Sequence, residues 1–351
     1  MKARRITILS LLVIGSIILA ACGGAAEPAA EEVAEDAVTV VHLINGTLGD
    51  KSFTDSAHRG LTQARDEFGF NLITNEAGVD PAKWEPAFMD AVQNPDTDVI
   101  VFAAHDLMEI MNEVAPDYPE ITFISFDNPI DFDEACSGCK ENAYSVLYLQ
   151  NEGSYLAGLY AGLMSETGII GAVGGADIPV INDFIIGYTQ GAVDAGLTAE
   201  NVLVQYAESW SDPVKGKELA LTMYQQGADI VFQIAGGTGE GVFYAAEEAD
   251  AWAIGVDSDQ ALIIEETNPD QAARILTSMM KHVDKSLYRA VSMYLDGTLP
   301  VGTNESLGIP DGVGLAYNKF FDENTPQEVV DQILAAEEAV KSGEIIVDTV
   351  F

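Results

Sequence analysis

Three acidic residues of this sequence stand where apolar, strand-like segments end. Asp127 follows the segment Thr122–Phe126, and Asp257 and Asp259 follow the apolar residues 254–256. The carboxyl ends of parallel strands line the ligand crevice of a doubly wound sheet, and a carboxylate there accepts hydrogen bonds from hydroxyl and ring N–H groups. The alternative for each acid is to cap a loop or the next helix. The pattern favours a binding site for a polar ligand.

A glycine-rich turn, residues 236–241, follows another apolar segment and precedes a helical one. A dinucleotide motif built on Gly237 and Gly239 would need a third glycine at position 242, which is Val242, and a P-loop would need Gly-Lys-Ser/Thr. The turn therefore predicts no phosphate cradle. It indicates either a close approach of the backbone to a neutral group or ordinary turn chemistry.

No pattern of catalytic or metal-ligating residues accompanies these acids. The four histidines (His42, His58, His105 and His282) form no H-E-x-x-H or H-x-H motif, and the sequence has no G-x-S-x-G elbow. His42 lies within an apolar segment and is interpreted as structural. We therefore expect no catalytic residue, no metal site and no cofactor.

The composition excludes two classes of partner. The chain has 351 residues with 56 acidic and 16 basic side chains, a formal charge of −40. A general nucleic-acid binder needs Lys and Arg to displace phosphate counterions, and docking on an anionic bilayer needs a basic face. Because 48% of the residues are hydrophobic, the chain is expected to fold, and its length is typical of two domains.

The N-terminus has the pattern of a secretory signal. Basic residues within positions 2–5 precede an apolar run over residues 6–18, which is shorter than the ~20 residues that a helix needs to cross a bilayer. The sequence Leu-Ala-Ala-Cys then ends at Cys22 and resembles a bacterial lipobox. It implies a signal peptide over residues 1–21, a lipid on Cys22, and an acidic tether over 22–37 outside the cell membrane. Ordinary secretion is the alternative.

Cys136 and Cys139 are the two cysteines outside this N-terminal segment. An exported protein meets an oxidising compartment, so the first interpretation is a local disulfide that closes a surface loop. A zinc site would need four ligands, and the neighbouring sequence offers no second cysteine pair and no histidine. A free redox pair is the remaining alternative.

Apolar strand segments alternate with amphipathic helices in two series, over residues 38–149 and 150–273. This alternation predicts an α/β fold with two doubly wound lobes, each a parallel sheet covered by helices on both faces. Beyond them we predict a strand over residues 274–277 and a helix over 279–295. Residues 274–305 are assigned to the first lobe and 306–351 to the second. The chain crossings would form a hinge, with a ligand cleft between the lobes.

An ordered set of motifs resembles the basic membrane protein family of lipoproteins, which are purine-nucleoside-binding proteins of ABC importers. The segments that carry the resemblance are 48–53 (LGDKSF), 153–158 (GSYLAG), 173–179 (VGGADIP), 212–217 (DPVKGK), 226–229 (QGAD), 235–239 (AGGTG), 254–260 (IGVDSDQ) and 277–281 (TSMMK). The resemblance implies the type I periplasmic-binding-protein fold, in which three crossover segments join two α/β lobes. It also implies a binding protein rather than an enzyme.

The resemblance implies roles for individual residues as well. In the family the purine base lies between two aromatic rings. Phe53 matches the first ring, and Trp210 stands where the second is usually Phe. Asp257, Lys281 and Gly237 match the contacts to ribose. A carboxylate that accepts from sugar hydroxyls, with a lysine that donates, can orient a polyol.

Three further positions belong to the same set. Asp127 matches an acid that reads the edge of the base. Asn45 lies near a position where relatives often have Asp, and Thr54 replaces a common Asn. The implied protein is a lipid-anchored monomer that captures guanosine, inosine or adenosine and delivers it to an ABC permease. Without the resemblance, Phe53 would be interpreted as a core residue.

Other functions stay open at this stage. The same fold hosts sugar and autoinducer receptors, and sugars also pack on tryptophan. A nucleoside-cleaving enzyme would need an acid–base constellation or a tightly held Ca²⁺ near the ribose, and beyond Asp257 and Asp259 the sequence suggests no such aspartate cluster. A surface sensor or adhesin would need no transporter.

Overall fold

The computed structural model describes residues 37–351. The predicted signal peptide and Cys22 lie outside the described residues, as does all but the last residue of the predicted tether. The strands are β1 (Thr39–Ile44), β2 (Asn71–Glu76), β3 (Val99–Ala103), β4 (Thr122–Phe126), β5 (Ala143–Tyr148), β6 (Ile170–Gly174), β7 (Val202–Tyr206), β8 (Ile230–Ile234), β9 (Trp252–Asp257), β10 (Ile275–Lys281), β11 (Asn304–Leu307) and β12 (Val313–Leu315).

Helices connect most of these strands. They are α1 (Phe53–Phe68), α2 (Trp84–Gln93), α3 (His105–Val114), α4 (Gln150–Met164), α5 (Pro179–Asp194), α6 (Pro213–Gln225), α7 (Glu240–Ala249), α8 (Gln260–Glu265), α9 (Pro269–Ala272), α10 (Val283–Leu295), α11 (Lys319–Asn324) and α12 (Gln327–Lys341). Within residues 37–351, no helix is both long enough and apolar enough to span a membrane.

The strands form two six-stranded sheets with the same winding. The first has the order β11-β5-β4-β3-β1-β2 and the second the order β12-β10-β9-β8-β6-β7. All pairs are parallel except that of β10 with β12, which is antiparallel. In the first sheet, β2 lies on one side of β1, and β3 and the later strands lie on the other side. In the second sheet, β7 and β8 flank β6 in the same way, so the strand order reverses beside β1 and beside β6. Ligands of doubly wound sheets bind at such a reversal, outside the carboxyl ends of the strands.

The chain crosses between the lobes three times. The first crossing joins β5 to α4, the second joins β10 to α10, and the third joins β11 to β12. Helix α10 packs on α1 of the first lobe, with the Phe68 and Tyr288 rings 5.4 Å apart between their centroids. The three crossover segments expected from the family resemblance are therefore present, and all of them lie at the β5 and β10 side of the sheets.

The structure corrects the assignment of residues 274–305 to the first lobe. Strand β10 pairs with β9 and β12 in the second sheet, and only α10 and β11 lie with the first. The helix predicted over residues 279–295 is also wrong at its start, because Met279–Lys281 continue β10 and the helix begins at Val283. Pairing on both sides of β10 outweighs the helix propensity of the two methionines in this segment.

Helices α4 and α5 pack so closely that glycines line their contact. A Cβ added to Gly158 would lie 1.9 Å from the Tyr188 carbonyl oxygen. We expect Gly158→Ala to push the helices apart and lower the free energy of unfolding by about 2 kcal/mol, a fall in Tm of about 5 °C. Gly314→Ala is the matched control, because a Cβ at Gly314 would meet no atom within 4 Å. Equal Tm values for the two variants would contradict this account of the contact.

Candidate ligand-binding site

Two aspartates lie at carboxyl ends of strands from different lobes. Asp127 follows β4 in the first lobe, and Asp257 ends β9 in the second. Both have a left-handed backbone, with φ of 65° and 64°. This conformation is costly for residues other than glycine, and it is concentrated at functional sites. Asp259 instead caps α8 by accepting from the Leu262 N–H, so the capping alternative describes that third acid.

Lys281 joins the lobes at the second crossing. It is the last residue of β10, its side chain is 1% exposed, and its Nζ forms an ion pair with Asp127 Oδ1. The ammonium also lies 5.0–5.5 Å from the ring centroids of Phe53, Tyr148 and Phe184. Aromatic faces attract a cation in this range. Burial raises the pKa of Asp127, while the neighbouring Lys281 opposes that shift.

Asp257 is held across the cleft by a serine. The Ser52 hydroxyl of the first lobe donates a hydrogen bond to Asp257 Oδ2. Burial raises the pKa of Asp257 from 3.8 to about 7, although Lys281 and the hydrogen bond from Ser52 favour the charged form. Near neutral pH the carboxyl is therefore partly protonated, and a ligand whose hydroxyls donate to it would stabilise the carboxylate.

The raised pKa of Asp257 has a consequence for stability. The folded chain holds this proton more tightly than the unfolded chain between pH 3.8 and about 7, so the contribution of Asp257 to stability falls as pH rises through that window. Asn keeps the acceptor for Ser52, tolerates positive φ and carries no charge. We expect Asp257→Asn to raise Tm by several degrees at pH 8 and to change it little at pH 4.

Thermal unfolding of Asp257→Asn and the wild type at both pH values tests this. Asp250→Asn is the control, because Asp250 also has positive φ (54°) but its side chain is 82% exposed. Asp250 is paired with Arg274 at the surface, and its substitution should change Tm far less between pH 4 and pH 8 than Asp257→Asn does. A pH-independent effect of Asp257→Asn would contradict the burial argument.

The loop before α1 is organised by two other aspartates. Asp50 accepts from the backbone N–H groups of Ser52, Thr54 and Asp55 at 2.9–3.0 Å, and Asp55 accepts from those of Gly49 and Lys51 at 2.8 Å. These bonds satisfy amides that a helix N-terminus leaves free. Although Ser52 directly precedes α1, its side chain does not cap the helix, because its hydroxyl is bonded to Asp257 instead.

The two aromatic residues expected to hold a base lie on different lobes. Phe53, the first residue of α1, packs against Phe126 with ring centroids 5.1 Å apart, and it faces the Lys281 ammonium. Trp210 is 46% exposed on the second lobe. Its ring lies on the backbone of Gly175, where an added Cβ would be 2.2 Å from a ring carbon. That these two rings enclose a ligand stays a prediction.

The glycine-rich turn lies where the lobes approach each other. A Cβ on Gly237 would be 3.2 Å from the Trp210 carbonyl oxygen and 3.9 Å from Asp50 Cβ, so side chains other than glycine would be crowded there. Asn45 is half-buried just after β1, and Thr54 is half-buried in the first turn of α1. The predicted binding residues therefore lie at the carboxyl ends of strands or on the segments that follow those ends.

Sequence reasoning missed three residues of this cluster. Ser52 is bonded to Asp257, and Tyr148 and Phe184 lie beside Lys281. Ser52 and Phe184 do not end a strand, and Tyr148 ends β5 without a charge that would mark a ligand site. Ser52 stands inside the LGDKSF motif, which is the one signal that could have drawn attention to it.

Cysteine and histidine chemistry lies elsewhere in the first lobe. A disulfide joins Cys136 and Cys139. Both cysteine side chains are buried against the hydrophobic core, while residues 137–138 between them are exposed, so the disulfide lies within a surface loop. His42 is buried in β1 with its ring centroid 6.0 Å from that of His58. Among the described residues, 37–351, no three His, Cys, Asp or Glu side chains are grouped to hold a metal ion.

Comparison with known proteins gives one family. The model of the Bmp family, described as ABC transporter substrate-binding protein PnrA-like, matches residues 37–349. The chain is 29% identical over 367 residues to the CD4+ T-cell-stimulating antigen of Listeria innocua, with 98% of each chain covered. It is 28% identical over 365 residues to the ABC transporter nucleoside-binding protein BmpA of Lactococcus lactis, with 99% of each covered.

A solved structure supports the same relationship. The crystal structure of an ABC transporter solute-binding protein from Aeropyrum pernix is 26% identical in sequence, with a TM-score of 0.77. The match covers 89% of this chain and 94% of the other. Together with the two doubly wound sheets, this likeness confirms the predicted type I periplasmic-binding-protein fold.

Proposed function

The chain belongs to the PnrA-like family of ABC transporter substrate-binding proteins, and from that premise we propose that it captures a purine nucleoside between its lobes and delivers it to an ABC permease. One observation carries the proposal. Polar groups from both lobes, Lys281 with Asp127 and Ser52 with Asp257, meet beside the ring of Phe53 at the hinge side of the cleft. The named relative in Lactococcus lactis, a nucleoside-binding protein, supports the ligand class.

The base would be held by stacking on aromatic rings and by hydrogen bonds along its edge. Phe53 from the first lobe and Trp210 from the second would offer aromatic faces to the two sides of the base, and base–aromatic stacking is worth roughly 1–3 kcal/mol per base. Asp127 would accept from ring N–H groups, which favours guanine or hypoxanthine, while an adenine amino group could also donate to it. Asn45 directly follows β1, and Thr54 is next to Phe53 in α1. Both would contribute further contacts to the base.

The ribose would lie toward the second lobe. Asp257 would accept from sugar hydroxyls, Lys281 would donate to the sugar, and the backbone at Gly237 allows close approach. The Lys281–Asp127 and Ser52–Asp257 pairs would hold the ammonium and the Asp257 carboxyl in position before the sugar binds. The sugar hydroxyls would then replace part of these contacts.

The charges of the site favour nucleosides over nucleotides. The carboxyl groups of Asp50 and Asp127 both act on that of Asp257, whereas one buried ammonium, from Lys281, offsets the charges of Asp127 and Asp257. A phosphate dianion would need several donors to offset the cost of its desolvation. We therefore expect a nucleoside to bind much more tightly than its 5′-monophosphate.

Delivery depends on hinge closure and on the anchor. A ligand that touches both lobes stabilises the closed form through contacts that the open form lacks, and the three crossings provide the hinge. A lipid on Cys22 and a tether over residues 22–37 would hold the body near the outer face of the membrane. A 16-residue flexible chain has an end-to-end distance of about 20–25 Å.

Isothermal titration calorimetry with a ligand panel tests the proposal. Guanosine, inosine and adenosine should bind, whereas ribose and the 5′-monophosphates should bind far more weakly. The nucleoside should be recovered intact, with no free base. Tight binding of ribose or another sugar without a base would favour the sugar-receptor alternative and contradict the proposal.

A further inference from the structure

One salt bridge connects the lobes without belonging to the proposed ligand contacts. Lys51 Nζ of the first lobe lies 2.8 Å from Glu240 Oε1 of the second, and the two side chains are 33% and 21% exposed. Lys51 lies in the loop before α1, directly before Ser52, and Glu240 is the first residue of α7, directly after the glycine-rich turn. The pair therefore ties together two segments that carry ligand contacts.

The backbone presents Lys51 in a defined position. Its φ is 51°, in the left-handed region, and its N–H donates to Asp55 Oδ2 at 2.8 Å. Asp50 holds the neighbouring amides of the loop. Because these bonds fix the loop, the lysine loses less conformational freedom on pairing than an unconstrained surface lysine would.

The sheet order places this pair far from the hinge. The Asp127–Lys281 pair follows β4 and β10, beside the crossings, whereas Lys51 follows β1 and Glu240 follows β8. Strand β8 is two positions from β10 and β1 is two positions from β4, and adjacent strands lie about 4.8 Å apart. The Lys51–Glu240 contact thus lies about 10 Å farther from the hinge than the Asp127–Lys281 pair, so a given rotation of the lobes separates its charges more.

We propose that Lys51 and Glu240 form an electrostatic latch that keeps the lobes together and slows their separation, independently of any contact with the ligand. The two residues raise the fraction of molecules in the closed form, whichever ligand the protein binds. Exposed ion pairs weaken with added salt, so the latch holds less firmly at 1 M than at 0.1 M salt.

Interlobe distance measurements test the latch directly. Spin labels on Val79→Cys and Val214→Cys report the separation, because the two side chains are 63% and 70% exposed and follow β2 and β7, the edge strands farthest from the crossings. The measurement is made in the absence of nucleoside. Lys51→Glu should increase the open-to-closed ratio about 2- to 10-fold, and the exchanged pair Lys51→Glu with Glu240→Lys should return it toward the wild-type value.

A second salt bridge provides the matched control. Lys217 and Glu248 have nitrogen and oxygen atoms 2.6 Å apart and connect α6 to α7 within the second lobe. Lys217→Glu makes the same change in net charge and should leave the distance distribution unchanged. The latch is overturned if Lys51→Glu leaves the distribution unchanged, if the exchanged pair does not restore it, or if Lys217→Glu opens the lobes equally. None of these outcomes depends on whether a nucleoside binds, so failure of the proposed function would be recognised separately.

Discussion

Lys281→Met should abolish measurable nucleoside binding, with affinity reduced about 100-fold or more. The substitution removes the buried ammonium that is paired with Asp127 and surrounded by the rings of Phe53, Tyr148 and Phe184. Two losses add together. The sugar loses its donor, and Asp127 is left as a buried carboxyl without a cation, a state that is strongly destabilising in other proteins. Calorimetry with inosine is the measurement.

A companion variant separates binding from folding. Adding Asp127→Asn to Lys281→Met removes the unpaired carboxylate, so thermal stability should recover while binding stays lost. Lys319→Met is the surface control, because Lys319 is 48% exposed and pairs with Glu265 within the second lobe. Wild-type affinity in Lys281→Met would show that the ligand does not use this lysine.

The second large effect concerns the aromatic faces. We expect Phe53→Ala and Trp210→Ala each to weaken guanosine, inosine and adenosine alike, by about 5- to 100-fold, because stacking does not distinguish one purine from another. The same calorimetric panel provides the measurement. Binding of ribose alone, which has no base, should not respond to either substitution.

The chain offers a matched control for each ring. Phe68 lies at the opposite end of α1 from Phe53, beside Tyr288, and Trp252 begins β9 at the end of the strand opposite to Asp257. Phe68→Ala and Trp252→Ala should leave the affinities as in the wild type. A Trp210→Ala variant that loses affinity for one purine only would contradict stacking as its role.

The repeated strand–helix order was readable from the sequence because buried parallel strands leave long apolar runs. Strand β11 (Asn304–Leu307) was missed because it is a half-polar edge strand that, within residues 37–351, pairs with β5 alone. Strand β10 was assigned to the wrong lobe for a related reason. Its sequence indicates an apolar segment, but the choice of sheet depends on pairing with β9 and β12, which lie elsewhere in the chain.

Some residues of the site could be identified from the neighbouring sequence, whereas others depend on a partner far away in the chain. Asp127 and Asp257 were recognisable because each follows an apolar strand, and strand ends meet at the cleft. The bond from Ser52 to Asp257 joins residues 205 positions apart, and a serine directly before a helix could equally have capped that helix. A side chain that has two possible partners is assigned only when the tertiary structure shows which one is near.

A crystal structure of the protein with inosine tests the central claim most directly. The account predicts the base between the rings of Phe53 and Trp210, with ribose hydroxyls hydrogen-bonded to Asp257 and Lys281. A nucleoside bound outside the interlobe cleft, or bound within it with no aromatic ring against one face of the base, would contradict the account.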